Sequence, residues 1–150
     1  MADIKTSGER SHNMSQIHSK DTKPEIYFRK MLFGKGFRYR KNVNFIPGHP
    51  DVWMARYNAA IFVNGCYWHR HKGCKYSYTP KTRLDFWTAK FQNNVNRDYE
   101  VRVKLRNQGI RVLTIWECTI KKMIHSEQEE QQIMHKVESF LKSDLPELEL

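Results

Sequence analysis

The chain has 150 residues, enough for one hydrophobic core and too few for a second of useful size. Its 26 lysines and arginines against 16 aspartates and glutamates give a net charge of +10, and 13% of the residues are aromatic, which argues against a disordered basic tail. With no run near the roughly 18 apolar residues of a membrane span, no signal-peptide core and only three cysteines, it reads as a basic globular domain of the cytoplasm without a membrane partner.

The first 20 residues, among them Arg10, Ser11, His12, Asn13, Met14 and Lys20, are polar and weakly periodic. They read as an arm that needs a partner to order it. Thr22 is a candidate N-cap, and Pro24 and Glu25 suit a first turn, so a helix is predicted to about Phe33, stopped by Gly34 and Gly36. Phe37 to Val43 alternates aromatic and basic residues and suits a strand, and Ile46-Pro47-Gly48-His49-Pro50 is a turn. Two strands are predicted next, Asp51 to Arg56 and Ala59 to Val63, joined by a tight turn at Tyr57-Asn58. The second is apolar on both faces, as a central strand would be. Residues 64–81 are irregular and dense in cysteine, histidine and aromatics. Helical periodicity returns from Arg83 to about Asn107 and breaks at Gly109. Arg111 to Trp116 is a further apolar strand, and Ser126 to Lys142 an amphipathic helix. This order predicts an α/β fold, a mixed central sheet flanked by helices.

The charge is uneven. Residues 1–50 carry ten basic and four acidic side chains, residues 51–125 fourteen and five, and the last 25 only two against seven. Such a field favours polyanions, nucleic acid being the usual one; the alternative is a solvated basic surface kept for solubility.

Cys66, His71 and Cys74 lie close together, and Cys118 follows a buried strand. The four make one Cys₃His set, a complete shell for structural zinc with no open position. The alternative is three inert thiols and a surface histidine. Asp51 opens a strand after a rigid turn, a common location for a metal-binding carboxylate in nucleases, although turns also favour aspartate. In the long helix Leu84, Trp87, Phe91, Val95 and Leu105 form one stripe at about 100° per residue, and Asp98 and Arg102 fall inside it. A carboxylate on a core-facing side must be paired or used. Either Arg102, four residues on, satisfies Asp98, or Asp98 orients a histidine. His69, between Trp68 and Arg70, is the candidate, a general base suited to neutral pH unless it is merely an exposed loop residue. Tyr67 and Trp68 adjoin the same loop and suit wedges between base pairs, while Trp87 suits either core or wedge.

Four segments, Pro47-Gly48-His49-Pro50-Asp51, Phe62-Val63-Asn64-Gly65-Cys66-Tyr67-Trp68-His69-Arg70-His71, Asn93 to Asp98 and Trp116-Glu117-Cys118, together resemble the very-short-patch-repair (Vsr) DNA mismatch endonucleases. The resemblance covers roughly residues 8–122, and its Gly-Cys-aromatic-Trp-His-x-His string is far more specific than the Pro-Asp step. It implies a restriction-endonuclease-like fold with a zinc-binding insert. It also implies a magnesium-dependent nick in one strand of double-stranded DNA, 5′ to the thymine of a T:G mismatch left when 5-methylcytosine deaminates. By position, it implies that Asp51 ligates magnesium with the backbone carbonyl of Val63, that His69 activates water, that Asp98 orients His69, and that Glu25 supports the site. Cys66, His71, Cys74 and Cys118 would hold zinc, and Tyr67, Trp68 and Trp87 would form a wedge beside the mismatch. Residues 1–20 would clasp the DNA, and residues 21–150 would form one nuclease domain with the insert at about 64–81. Mismatch-repair proteins as partners, action as a monomer and association with the bacterial nucleoid are further implications. Asn64 departs from the histidine common in the family, and His49 from an arginine. The rival reading is a zinc-stabilised module that binds distorted DNA without cutting; it has no use for Asp51, His69 and Asp98 together.

Overall fold

A computed structural model describes residues 21–150; the arm of residues 1–20 lies outside the described residues. Helix α1 spans Lys23–Gly34. Its first turn is closed from both sides, because Thr22 Oγ1 accepts from the Glu25 amide at 3.4 Å and Glu25 Oε2 accepts from the Asp21 amide at 3.0 Å. A five-stranded sheet follows in spatial order β1 (Arg40–Lys41), β2 (Val52–Met54), β3 (Ala59–Asn64), β4 (Arg111–Trp116), β5 (Glu147–Glu149). The first three strands pair antiparallel, while β3–β4 and β4–β5 are parallel. The parallel step from β3 to β4 requires a crossover, supplied by α2 (Leu84–Asn107). Helices α3 (Glu117–His125) and α4 (Glu127–Leu141) separate β4 from β5.

Strand alternation sorts the core into two layers. Val52, Met54, Ile61, Leu113 and Ile115 face Phe28 and Leu32 of α1, Ile120 and Met123 of α3, and Met134, Val137 and Phe140 of α4. Trp53, Ala60 and Val112 face Leu105 of α2, with Val43, Ile46 and Ile110. At the end of α2 the Ile110 amide donates to Leu105 O at 2.9 Å, a closure that needs the left-handed φ of +74° at Gly109. The guanidinium of Arg111 donates to carbonyls of Tyr57, Phe140, Leu141 and Leu145, capping α4 and turning the chain toward β5. No helix among the described residues is long and apolar enough to cross a membrane.

Several elements differ from expectation. Phe37 to Val43 forms only the two-residue ladder of β1, since Phe37 and Val43 turn into the core on either side of it. The strand predicted over Asp51 to Arg56 stops at Met54 and tightens into a 3₁₀ turn, Ala55–Tyr57, closed by Asn58 at φ +50°. Helix α3 and strand β5 were not predicted. Ser126 caps α4 directly after α3, so the two helices meet without a linker, and β5 is a Glu-Leu-Glu segment whose strand character comes from pairing with β4. The apolar stripe of α2 is narrower than its periodicity suggests: Phe91 and Leu105 are buried, whereas Leu84 and Val95 are 52% and 38% exposed.

Candidate active site and metal cluster

The turn at residues 46–50 is pressed between β3 and α2. Gly48 has φ +82°, and a Cβ there would overlap Val101 Cγ1 and stand 3.2 Å from the Phe62 ring, so only glycine fits. This brings Asp51 to the end of the sheet, where its Oδ2 accepts from the Val63 amide at 2.7 Å. The Asp51 carboxyl is pushed up to about 7, mainly by burial and then by the negative charge of Glu25; the Val63 amide, His69 and Arg29 pull the other way. Glu25 is itself only 4% exposed and raised by burial, while Arg29 donates to it at 3.4 Å. A carboxyl raised by burial and by a second buried carboxyl suits a hard divalent cation, whose charge would favour the ionised forms.

The irregular insert after β3 is organised around Arg70. Its guanidinium donates to the carbonyls of Tyr67, Tyr78 and Ser77 at 3.1, 3.1 and 2.8 Å and to Thr79 Oγ1 at 3.1 Å, and it lies 3.9 Å over the Phe91 ring. That hub turns His69 toward α2. His69 Nδ1 and Asp98 Oδ2 are 2.6 Å apart, with the side chains 34% and 24% exposed. Arg102 does not take Asp98; it pairs with Glu147 of β5 at 3.6 Å, so the alternative i,i+4 ion pair is not formed. With Nδ1 engaged, the Nε2 of His69 has no hydrogen-bond partner among the described residues. A cavity of about 370 Å³ borders His69 and Asp98, its wall including Asn64, Trp68, Lys90, Asn94 and Arg97. Asn94 Nδ2 donates to Trp68 O at 3.1 Å, a second tie between insert and helix.

Within the same insert and just past β4, the Sγ atoms of Cys66, Cys74 and Cys118 and a ring nitrogen of His71 all lie within 4.8 Å of one another. His71 Nδ1 stands 3.6 Å from Cys66 Sγ and 3.4 Å from Cys118 Sγ. Tetrahedral bonds of about 2.0 Å to nitrogen and 2.3 Å to sulfur would place those atoms about 3.5 Å apart, so the set fits a thiophilic divalent ion. Burial pushes the Cys66 thiol up to about 12, helped by the neighbouring Cys118 and Cys74, and holds the His71 imidazole below its usual range. A cation among them would reverse the thiol's shift, because its charge favours the thiolate form. The three thiols and the histidine thus form one compact cluster.

The three aromatics singled out also meet. Tyr67 and Trp68 rings are 4.9 Å apart, Trp68 and Trp87 6.1 Å, and all three pack around Phe91. Phe86, 47% exposed and edge-on to Trp87 at 5.2 Å, extends the cluster to the surface. Sequence reasoning assigned no role to Arg70, Asn94 or Phe86. Arg70, an arginine between two histidines in an aromatic loop, and Asn94, within the Asn93 to Asp98 segment, offered a signal; Phe86 offered none.

A carboxyl pair suited to a cation, and an oriented imidazole beside a cavity lined in part by Lys90 and Arg97, are groups that a nuclease requires. Residues 2–75 match the family model described as DNA mismatch endonuclease Vsr. The chain is 43% identical over 121 residues to the Type II nicking enzyme V.NmeAIP of Neisseria meningitidis serogroup A, an alignment covering 81% of this chain and 86% of that protein. It is 38% identical over 121 residues to the DNA mismatch endonuclease Vsr of Escherichia coli K12, covering 81% and 77%. The Type II nicking enzyme V.XorIIP of Xanthomonas oryzae is 37% identical over 120 residues, covering 80% and 88%. The chain belongs to the Vsr family of DNA mismatch endonucleases, and its enzyme class is that of a strand-specific endonuclease.

Proposed function

We propose that this protein is a magnesium-dependent endonuclease that nicks one DNA strand 5′ to the thymine of a T:G mismatch arising from 5-methylcytosine deamination. The observation that carries the reading is the His69–Asp98 pair at 2.6 Å beside a cavity, just past the end of β3 where Asp51 accepts from the Val63 amide. In this reading His69 Nε2 takes the proton of the attacking water while Asp98 stabilises the resulting imidazolium at Nδ1. Lys90 and Arg97 on the cavity wall offset charge developing on the phosphate oxygens. Asp51 with the Val63 carbonyl, supported by Glu25, would hold magnesium, which would supply Lewis-acid charge neutralisation. Zinc is the ion suited to Cys66, His71, Cys74 and Cys118, where it ties the insert to the start of α3.

Tyr67, Trp68 and Trp87 are read as a wedge. A T:G wobble is already poorly stacked, so inserting the wedge costs less there than at a matched pair. The sheet and its helices are read as a restriction-endonuclease-like fold, with residues 21–150 as one nuclease domain and the insert at about 64–81 tethered by zinc. Residues 1–20 are assigned to clasp DNA. The protein would work as a monomer in the bacterial cytoplasm, nucleoid-associated when bound, with mismatch-repair proteins as partners. The deciding experiment compares nicking of a labelled T:G duplex with its T:A control, in magnesium and in EDTA. Magnesium-dependent cutting of the T:G duplex alone supports the reading, and cutting of both duplexes removes mismatch specificity. Binding without cutting by the wild-type protein favours the recognition module.

A further inference from the structure

Strand β5 lies outside the motifs that carry the Vsr resemblance, yet it reaches the metal cluster. Register with β4 places Glu149 beside Thr114, and the Trp116 amide donates to Leu150 O at 3.0 Å, which fixes the end of β5 against the end of β4. Trp116 is 7% exposed, and its indole nitrogen can only donate, so it requires an acceptor. Glu149 Oε1 supplies it at 2.6 Å, a short charge-assisted bond. The indole so held stacks on the imidazole of His71, with centroids 4.2 Å apart and planes 6° apart. A metal-bound histidine ordinarily has its ring fixed by a hydrogen bond at the second nitrogen. No such bond to His71 Nε2 is made among the described residues; the flat face of Trp116 holds the ring instead.

We propose that Glu149 and Trp116 are positioning residues of the cluster: the Glu149 carboxylate holds the indole, and the indole holds the plane in which His71 presents Nδ1. This rests on the reading of Cys66, His71, Cys74 and Cys118 as a zinc site. Zinc affinity is measured by competition with a chromogenic chelator, and ligand geometry from the visible bands of the cobalt-substituted protein, for wild type, Glu149→Ala and Glu149→Gln. Wild type should bind one zinc per chain. Glu149→Ala should weaken zinc binding by about 10-fold or more and shift the cobalt bands, whereas Glu149→Gln, which keeps an acceptor oxygen, should stay close to wild type. If Glu149→Ala does not fold, Trp116→Phe, which keeps a ring but loses the donor, replaces it with the same expected direction. Affinity within twofold of wild type, unchanged cobalt bands, or Glu149→Gln as weak as Glu149→Ala would each overturn the inference. A wild-type protein without zinc would overturn the metal reading and the inference together.

Discussion

Two histidines two residues apart in one irregular insert have contrasting surroundings. His69 is held at Nδ1 by a carboxylate on α2 and borders an open cavity. His71 presents Nδ1 to the thiols of Cys66 and Cys118, and its face is covered by Trp116. A carboxylate partner orients an imidazole and leaves its second nitrogen free; a shell of thiols and a stacked indole suit it to ligation. The insert has no regular structure to stiffen it, so the closed side can act as the anchor from which the open side is aimed.

The largest effect should come from breaking the closed side. Cys66→Ala removes one donor from the proposed zinc site, and structural zinc contributes on the order of 10 kcal/mol in comparable small domains. Zinc content after dialysis should fall to near zero, limited proteolysis should cut within residues 65–83, and nicking should disappear. Breaking the open side should be cleaner. His69→Ala is expected to lower the nicking rate by about 10²–10⁴-fold while zinc content and T:G duplex binding hold. A parallel loss of zinc would show that the two sides do not act separately.

The contrast sharpens with pH. The Asp51 carboxyl is raised from 3.8 to about 7, so in metal-free protein its contribution to stability is complete below about pH 4 and is lost as pH rises through about 7. Asp51→Asn should therefore abolish nicking yet stabilise the metal-free fold at pH 8, by on the order of 2–4 kcal/mol in denaturant melts. Magnesium added to wild type should recover much of that difference. Gly48→Ala forces a left-handed alanine against Val101 and should cost about 1–3 kcal/mol, with lowered nicking because the turn carries Asp51. Smallest is Glu147→Gln. The Arg102–Glu147 pair is about 40% exposed on both sides, so stability should change by less than about 1 kcal/mol. A marked fall in nicking from that change would mean that Arg102, once released, competes with His69 for Asp98.

Much of this arrangement is local and therefore legible. Thr22 caps α1, the apolar run at Ala59 forms β3, Arg111–Trp116 forms β4 as predicted, and the three cysteines with His71 meet in one cluster. Other features depended on partners distant in the chain. Leu84 and Val95 continue the periodicity of α2, but periodicity cannot say how far a helix runs beyond the layer it packs on. β5 carries two glutamates in three residues, and only the parallel ladder with β4 makes it a strand.

By itself the sequence determined the candidate chemistry: which side chains could ligate, which could accept a proton, and a charge suited to a polyanion. Those properties belong to residue types and short spacings. Tertiary structure decided the pairings. Asp98 had a neighbour at i+4 able to satisfy it and a histidine 29 positions earlier; the fold took Arg102 away to Glu147 and brought His69 to 2.6 Å. Trp116 could have been core alone, but β5 supplied its acceptor and set it against His71. Helical spacing and composition leave such choices degenerate. They are resolved only when strands far apart in sequence pair and fix which of two available partners comes within hydrogen-bond reach.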